Sequence, residues 1–345
     1  MKQYQDIVSK INRQVFIIAE ISANHNQNID YAKELIVAAK ESGANAVKFQ
    51  FYNADSLTVN ANNEYFQIKN GGLWDGQTLY ELYKNSGTPL EWAHELYNFA
   101  HEHDIIPFSS VYDTKEIPLL EGVDNQIYKI ASFENEHTEL IRSVARLKKP
   151  VIISSGLLDE ISWRTFKYGL SILFNYQVPY YVLKCVSSYP TNPSEINLFD
   201  IKKMQNELDC PIGFSDHTTS TMIAAHAVIA GATLIEKHLR LPRIRTVDSD
   251  FSLTPNQFHR MVKNIREAEL LVNGNNKQKK DNTIFKRSIF AIADINEGDI
   301  FTEQNIKVIR PGYGLPPVLY RTILGARATR KIKANHPIKK DDYIK

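Results

Sequence analysis

The chain has 345 residues, 43% of them hydrophobic and 23% charged, and its formal net charge is +2. That length is ample for one large domain with a sizeable core and a second, smaller one, while near-neutrality gives no reason to expect nucleic acid or an acidic membrane as a partner. No apolar run approaches the roughly 20 residues of a membrane span, and the opening MKQYQDIVSKINRQ is polar and mixed in charge, so a soluble, cytoplasmic protein is expected. Cys185 and Cys210 lie in strand-like segments without metal-type spacing and are expected to be reduced core thiols.

From Val15 onward, short β-rich runs alternate with amphipathic stretches, the pattern of a parallel α/β fold. The strands are expected at Val15–Ala19, Ala46–Gln50, Ile105–Ser109, Gln126–Ile130, Val151–Ser154, Tyr181–Cys185, Pro211–Phe214 and Ala232–Ile235. Eight strands, each followed by a helix-compatible segment, predict a (β/α)8 TIM barrel. The first helix is expected over Ile29–Ser42 and is stopped by Gly43. An Ala-rich helix is expected over Thr218–Ala230 and a last one over Pro255–Val272. The one long interruption, Phe51–Leu90, is read either as a substrate-covering insertion or as a satellite aromatic cluster. The barrel is thus expected to occupy residues 1–272. A polar Asn/Lys-rich linker then covers 273–283, and a small loop-rich β domain covers 284–345.

In such a barrel the carboxyl-terminal strand ends share one face, where the fold puts its chemistry. The polar residues falling there are Glu20 with Asn24-His25-Asn26, then Lys48 and Gln50, Ser109-Ser110, Lys129 with Ser132 and Glu134, and Ser154-Ser155-Gly156. Lys184, Ser187 and Tyr189 follow, then Ser215-Asp216-His217 and Glu236-Lys237-His238. His217 and His238, with Asp216 and Glu236 beside them, suit a first-row divalent metal with positions left open. Lys48, Lys129 and Lys184 among Ser110, Ser132, Ser154, Ser187 and Ser215 suit a compact polyanion such as a phosphate joined to a carboxylate. Glu20 and Glu134 are candidates for proton transfer or for holding substrate hydroxyls. Taken singly, each His reads as a hydrogen-bonded core residue, each Ser as a cap and each Lys as a solvated rim charge. Convergence of all eight strand ends favours an active site.

The motifs FIIAEISANHNQ, GANAVKFQFY, YKIASFE, VIISSG, KCVSSYPT, GFSDHT, IEKHL and RSIFAIADINEGD with RPGYGLPP occur in this order. Together they resemble the sialic acid synthase family of phosphoenolpyruvate-condensing enzymes, from about Val15 to the carboxyl terminus. ISANHNQ with GGLWDGQTLYELY, ASFE, DSDFSL and IRPGYGLPP most resembles the branch of that family that makes pseudaminic acid. The resemblance implies a TIM barrel followed by an antifreeze-like (SAF) β-rich domain, and a domain-swapped homodimer. It implies condensation of phosphoenolpyruvate with an open-chain N-acetylated amino sugar, here 2,4-diacetamido-2,4,6-trideoxy-L-altrose, to give a nine-carbon 2-keto acid and phosphate with C–O cleavage.

By motif position, the resemblance makes His217 and His238 ligands of Mn2+ or Mg2+. It sends Lys48, Ser110, Lys129, Ser132, Ser154, Ser187 and Ser215 to the phosphoenolpyruvate pocket, with Glu236 beside them. Glu20, Gln50, Glu134, Tyr189 and Asp248 fall at catalytic or sugar-contacting positions, and Arg310 where the SAF domain meets the sugar's acyl group. Ser109-Ser110-Val111 departs from the family's Ser-Ser-Pro, and Ser187 stands where the sialic branch has Asn. The alternatives are an N-acetylneuraminic or legionaminic acid synthase, a metal-dependent aldolase that releases no phosphate, and a carboxyl-terminal domain that binds ice or carbohydrate by itself. Against the last, Arg287, Lys307, Arg310, Arg327, Arg330 and Lys331 make that domain mildly basic.

Overall fold

In the computed structural model, which describes residues 2–69, 71–156, 159–274 and 281–345, eight short strands close into a barrel in sequence order. They are β1 (Phe16–Glu20), β2 (Ala46–Phe49), β3 (Ile106–Ser110) and β4 (Tyr128–Ile130), then β5 (Val151–Ser154), β6 (Tyr180–Cys185), β7 (Ile212–Asp216) and β8 (Leu234–His238). Every neighbouring pair is parallel, and β8 closes on β1 with Glu20 opposite His238. The helices between strands cover the outside, as parallel sheets require.

The two-residue period of a strand sorts these segments into two cores. Phe16, Ile18, Ala46, Phe108, Ile152, Tyr181, Leu183 and Leu234 fill the barrel interior. The alternate residues, such as Ile17, Val47, Phe49, Ile153, Val182, Phe214 and Ile235, pack outward against the helices. Gly213 is an interior position with no room for a side chain: a Cβ there would lie 2.5 Å from Leu183 Cδ2 and 2.6 Å from the Leu234 carbonyl oxygen.

The amino terminus adds an element that the sequence reading did not expect. Lys2–Arg13 is a helix, and its Ile7 and Ile11, one turn apart, join the interior cluster. With so few apolar positions, its amphipathic stripe was hidden by polar composition.

The expected strands are all present, with ends shifted by up to three residues. At their carboxyl ends β7 and β8 run on into the polar trios instead of stopping before them, β7 as far as Asp216 and β8 as far as His238. The period of two therefore acts inside each trio. Ser215 and Glu236 face inward, whereas Asp216 and Lys237 face outward and pair at 2.8 Å, both fully buried. Asp216 is thus not beside the imidazoles but holds β7 to β8 from outside. By the same alternation Lys184 leaves the anion group and pairs with Asp200 at 2.9 Å. The Ala-rich helix is shorter than expected, Ile223–Ile229, because Thr218 is drawn into the ion pair: its carbonyl and hydroxyl accept from Lys237, and its N–H donates to Asp216 at 2.9 Å.

The first helix is Ile29–Glu41, capped by Asn28 and ended at Gly43, whose φ is +92°. The last barrel helix is Pro255–Asn273. Between β2 and β3, the long insertion folds into short helices at Ala54–Leu57 and Leu79–Ser86, the latter started by a Thr78–Glu81 capping box. Its segment ends meet at a bridge between Phe51 and Thr88.

The chain divides into units Met1–Gly274 and Asn275–Lys345. Residues 275–280 of the expected linker lie outside the described residues. The second unit has two antiparallel pairs, β9 (Ser288–Ala291) with β10 (Ile306–Ile309) and β11 (Arg327–Ala328) with β12 (Tyr343–Ile344). Ile289, Ile295, Phe301, Ile306, Ile323 and Ile338 form its core. Among the described residues, no helix is long and apolar enough to cross a membrane.

Removing one member of the outward ion pair leaves an uncompensated buried charge. Lys237→Met should cost about 3–5 kcal/mol, and Asp216→Leu added to it should recover more than half of that loss. Urea denaturation of the full chain measures both. A double variant no more stable than the single one would show that the pair does not act as argued.

Candidate active site

The inward residues at the carboxyl ends of the strands are charged or hydroxyl-bearing, and they meet in one buried cluster. Lys48 on β2 contacts Glu20 Oε2 on β1, lies 3.2 Å from Ser110 Oγ on β3, and is 3.7 Å from Glu236 Oε2 on β8. Lys129 on β4 donates to Ser154 Oγ on β5 at 2.8 Å and lies 3.7 Å from the other Glu236 oxygen. Ser215 on β7 donates to that same oxygen at 3.0 Å. Glu20 Oε1 accepts from the Ser22 N–H at 2.7 Å. Every one of these side chains is buried.

The energetics say that this cluster is not there for stability. At 3.7 Å a unit charge pair is worth roughly 4 kcal/mol at an effective dielectric of 20, comparable with the several kcal/mol that burial costs each ion. Burial opposes the charge on Lys48, but Glu20 and Glu236 more than offset it and hold its pKa above the ordinary value. Burial likewise pushes Glu236 up, and Lys129 and Lys48 together bring it below the usual carboxylate range. For Lys129 burial wins over Glu236, and its pKa is lowered.

A second layer, built by the loops, sits on this one. Ser187 donates to Ser132 Oγ at 2.9 Å. Gly156 makes that approach possible, because a Cβ there would lie 2.1 Å from Ser187 Oγ and 2.8 Å from Ser132 Cβ. Asn135 fixes the turn by donating to the carbonyls of Ser154 and Gly156 at 3.0 and 3.1 Å. Hydroxyls above two lysines make a compact, directional anion pocket.

Beside it stand the two imidazoles, ring centroids 5.5 Å apart, with Tyr189 against His217 at 4.4 Å and Phe251 against His238 at 4.8 Å. The Val186 carbonyl accepts from His217 Nδ1 at 3.0 Å, which puts Nε2 3.5 Å from Ser215 Oγ; burial opposes a charged ring, but Cys185 and the Val186 carbonyl more than offset it and raise the pKa. Burial holds the pKa of His238 well below its ordinary value, and its Nδ1 has no hydrogen-bond partner, with Asp248 Oδ2 3.8 Å away. An imidazole kept neutral and an orphaned ring nitrogen fit a divalent cation. Among the described residues no group of three or more His, Cys, Asp or Glu is set to hold an ion alone, so the remaining positions of such an ion would fall to substrate or water.

Above both layers opens a cavity of about 370 Å³. Gln50, Ser132, Glu134, Tyr189, His238 and Asp248 line it, so these sequence-predicted residues share one space with the cluster below. Glu134 has an unpartnered Oε2, and burial pushes its pKa up to about 7. Arg310 belongs to the other unit, where it directly follows β10. Asn24 and His25 prove structural: Asn24 donates to the Leu239 carbonyl at 3.0 Å and to Ser252 Oγ at 2.9 Å, and His25, wholly buried, lies 3.3 Å from Thr88 Oγ1.

The sequence reading missed much of the cavity wall. Ser22, Tyr52 and Tyr112 follow strand ends directly and had a positional signal. Leu57, Ile68, Trp74, Leu79, Leu82 and Tyr83 come from the insertion, which therefore walls the cavity. Its length at the carboxyl end of a barrel strand pointed to a substrate-covering insertion, the first of the two readings given above, without picking out these residues.

The comparisons agree with this geometry. Residues 35–277 match the NeuB family and residues 286–344 match the SAF domain. The chain is 40% identical over 332 residues to the pseudaminic acid synthase of Helicobacter pylori, covering 94% of this chain and 97% of that protein. It is 33% identical to the N,N'-diacetyllegionaminic acid synthase of Legionella pneumophila, covering 92% of each. Among solved structures, the spore coat polysaccharide biosynthesis protein SpsE of Bacillus subtilis superimposes with a TM-score of 0.63 at 32% identity, covering 96% of each chain. A closed eight-stranded barrel with its polar cluster at the strand ends, followed by a SAF domain, thus places the chain in the NeuB family, the sialic acid synthase family of phosphoenolpyruvate-condensing enzymes.

Proposed function

We propose that the protein condenses phosphoenolpyruvate with 2,4-diacetamido-2,4,6-trideoxy-L-altrose to give pseudaminic acid and phosphate. Apolar surface in the cavity supports a diacetamido, 6-deoxy sugar over one with hydroxyls in those places, and the choice between this sugar and the legionaminic precursor, also diacetamido, rests on the sequence relationship. Leu57, Ile68, Leu79 and Leu82, with Tyr52, Trp74, Tyr83 and Phe133, line the cavity with apolar surface. This sugar offers three methyl groups, at C6 and on both acetamido substituents. A sugar with hydroxyls in those places would bury them against carbon without partners, at a cost of about 1–3 kcal/mol each. The relationship to pseudaminic acid synthases over nearly the whole chain supports the same choice.

In this reading Lys48 and Lys129, with Ser110, Ser132, Ser154, Ser187 and Ser215, hold the phosphate and carboxylate of phosphoenolpyruvate, and Glu236 lies between the two lysines. Gln50, Tyr189 and Asp248 face the sugar. Arg310 enters through the family resemblance alone, as a group offered to the sugar's acyl oxygen. His217 and His238 would hold a divalent cation, Mn2+ or Mg2+, whose chemistry there is Lewis-acid polarisation of the sugar's aldehyde oxygen.

The enol C3 bonds to the aldehyde carbon, the aldehyde oxygen takes a proton, and the cation left at C2 accepts water. The C2–O bond then breaks and phosphate leaves with the bridging oxygen. Glu20, held by Lys48 and the Ser22 N–H, is the carboxyl group at this end of the site, and burial, only partly offset by Lys48, pushes its pKa above the ordinary value. Glu134, which lines the cavity and has one oxygen without a hydrogen-bond partner, is the carboxylate able to receive the water's proton.

Incubation with phosphoenolpyruvate, Mn2+ and one sugar at a time, followed by phosphate release and product mass, tests the reading. Turnover is expected with the diacetamido L-altrose, lost on chelation and restored by Mn2+. Turnover confined to N-acetylmannosamine or to the legionaminic precursor would move the enzyme to another branch.

The pH profile tests the assignment of Glu134. Its carboxyl is protonated below about pH 7 and charged above it, so kcat/KM should fall on the acid side with an inflection near 7. Glu134→Gln should lose that inflection together with about 10²–10⁴-fold in rate. An unchanged profile in the variant would assign the proton to another group.

A further inference from the structure

Asn24 touches none of the reacting groups described so far, yet its buried amide is bonded at both ends. Its Nδ2 donates to the Leu239 carbonyl at 3.0 Å and to Ser252 Oγ at 2.9 Å, and its Oδ1 accepts from Thr246 Oγ1 at 2.5 Å. The loops that it ties together carry His238 and Asp248. Leu239 directly follows His238 at the end of β8, and Thr246 and Ser252 stand on either side of Asp248 in the loop that leaves that strand. Ser252 Oγ in turn donates to the Asp248 carbonyl at 2.6 Å.

The turn that contains Asn24, Ser22–His25, reaches the same carboxylate through its backbone. The Ala23 N–H donates to Asp248 Oδ2 at 3.2 Å, and this is the oxygen that lies 3.8 Å from the unpartnered Nδ1 of His238. Ser22 begins the turn at a φ of +46°, a left-handed conformation unfavourable for any residue with a Cβ and kept only where the surroundings over-determine it. The Ser22 N–H meets Glu20 Oε1, so one turn holds two carboxylates of the site. Phe251, in the same loop as Asp248, packs edge-to-face with His238 at a centroid distance of 4.8 Å.

We propose that Asn24 is a positioning residue for His238: by fastening the end of β8 to loop 246–252 it sets Asp248 and Phe251 against that imidazole and keeps it in place for a divalent cation. The proposal rests on the cation site assigned to His217 and His238 in the function proposed above. Groups that orient a metal-binding imidazole typically govern about 10- to 100-fold in metal affinity.

The test is Asn24→Ala in the full-length protein, with Ser252→Ala as a smaller deletion from the same set of bonds. Tyr97→Phe is the control, since it removes a buried hydrogen bond, from the Tyr97 hydroxyl to Asn125 Oδ1 at 2.6 Å, in the core outside the barrel. Free Mn2+ is read by electron paramagnetic resonance during titration. The dissociation constant for Mn2+ should rise about tenfold or more in Asn24→Ala and by a smaller factor in Ser252→Ala. Phosphoenolpyruvate titrated without metal should bind the parent and both variants alike, and Tyr97→Phe should lower the melting transition while leaving Mn2+ binding unchanged. Mn2+ binding equal to the parent's in both Asn24→Ala and Ser252→Ala would overturn the inference. So would equal weakening of Mn2+ in Tyr97→Phe, or of phosphoenolpyruvate in Asn24→Ala, because Asn24 would then support the fold in general and not His238. A parent protein that takes up no Mn2+ would instead remove the cation site on which the inference stands.

Discussion

Glu236 set between Lys48 and Lys129 is the interaction on which the site depends. Each lysine faces a different oxygen of the one carboxylate at 3.7 Å, so Glu236 links two buried cations that would otherwise repel, while Glu20 makes a second, closer contact to Lys48. The arrangement favours the charge on Lys48 and offsets part of the burial that lowers the pKa of Lys129, and it leaves the space above the lysines open, because Glu236 does not line the cavity. Ser215, which donates to Glu236, and Ser110 and Ser154, which meet the lysines, complete the floor. Burying such a group gains little stability, and the proposed function gives it a use, since fixed cations and hydroxyls are what a preorganised anion site needs.

Barrel closure makes that interaction possible. The residues involved lie on β1, β2, β3, β4, β5, β7 and β8, distant in sequence, and only a closed parallel sheet turns all of their inward positions toward one point. The alternation along each strand then separates two jobs. In β8 Glu236 and His238 point into the site, and Lys237 between them points out to Asp216. One residue of register slip would exchange these roles and bury the wrong charges, so the outward pair also pins the register.

The sequence made the barrel legible because parallel strands are short apolar runs set between helical periods. It made the site legible because Lys48, Lys129, Ser154, His217 and His238 occur at strand ends and in motifs of one family. What it hid has identifiable causes. Treating the trios as loops, not as strand continuations, made Asp216 and Lys184 look like site residues, although period two sends both outward. Asn24 and His25 follow a strand end as catalytic groups do, but they are spent on tying loops together. The helix Lys2–Arg13 shows only a narrow apolar stripe, and the wall residues Leu82 and Trp74 lie in an insertion whose path no periodicity announces.

The most direct measurement of the account's central claim is calorimetric titration of phosphoenolpyruvate alone into the full-length protein and its Lys129→Met variant, each verified as folded by its melting transition. The account predicts binding by the parent protein without any sugar and a loss of at least about tenfold in the variant, since a charge-assisted contact in a buried pocket is removed. Equal affinity in the two proteins would contradict it, because the lysine pair would then not be the anion receptor around which the site is built.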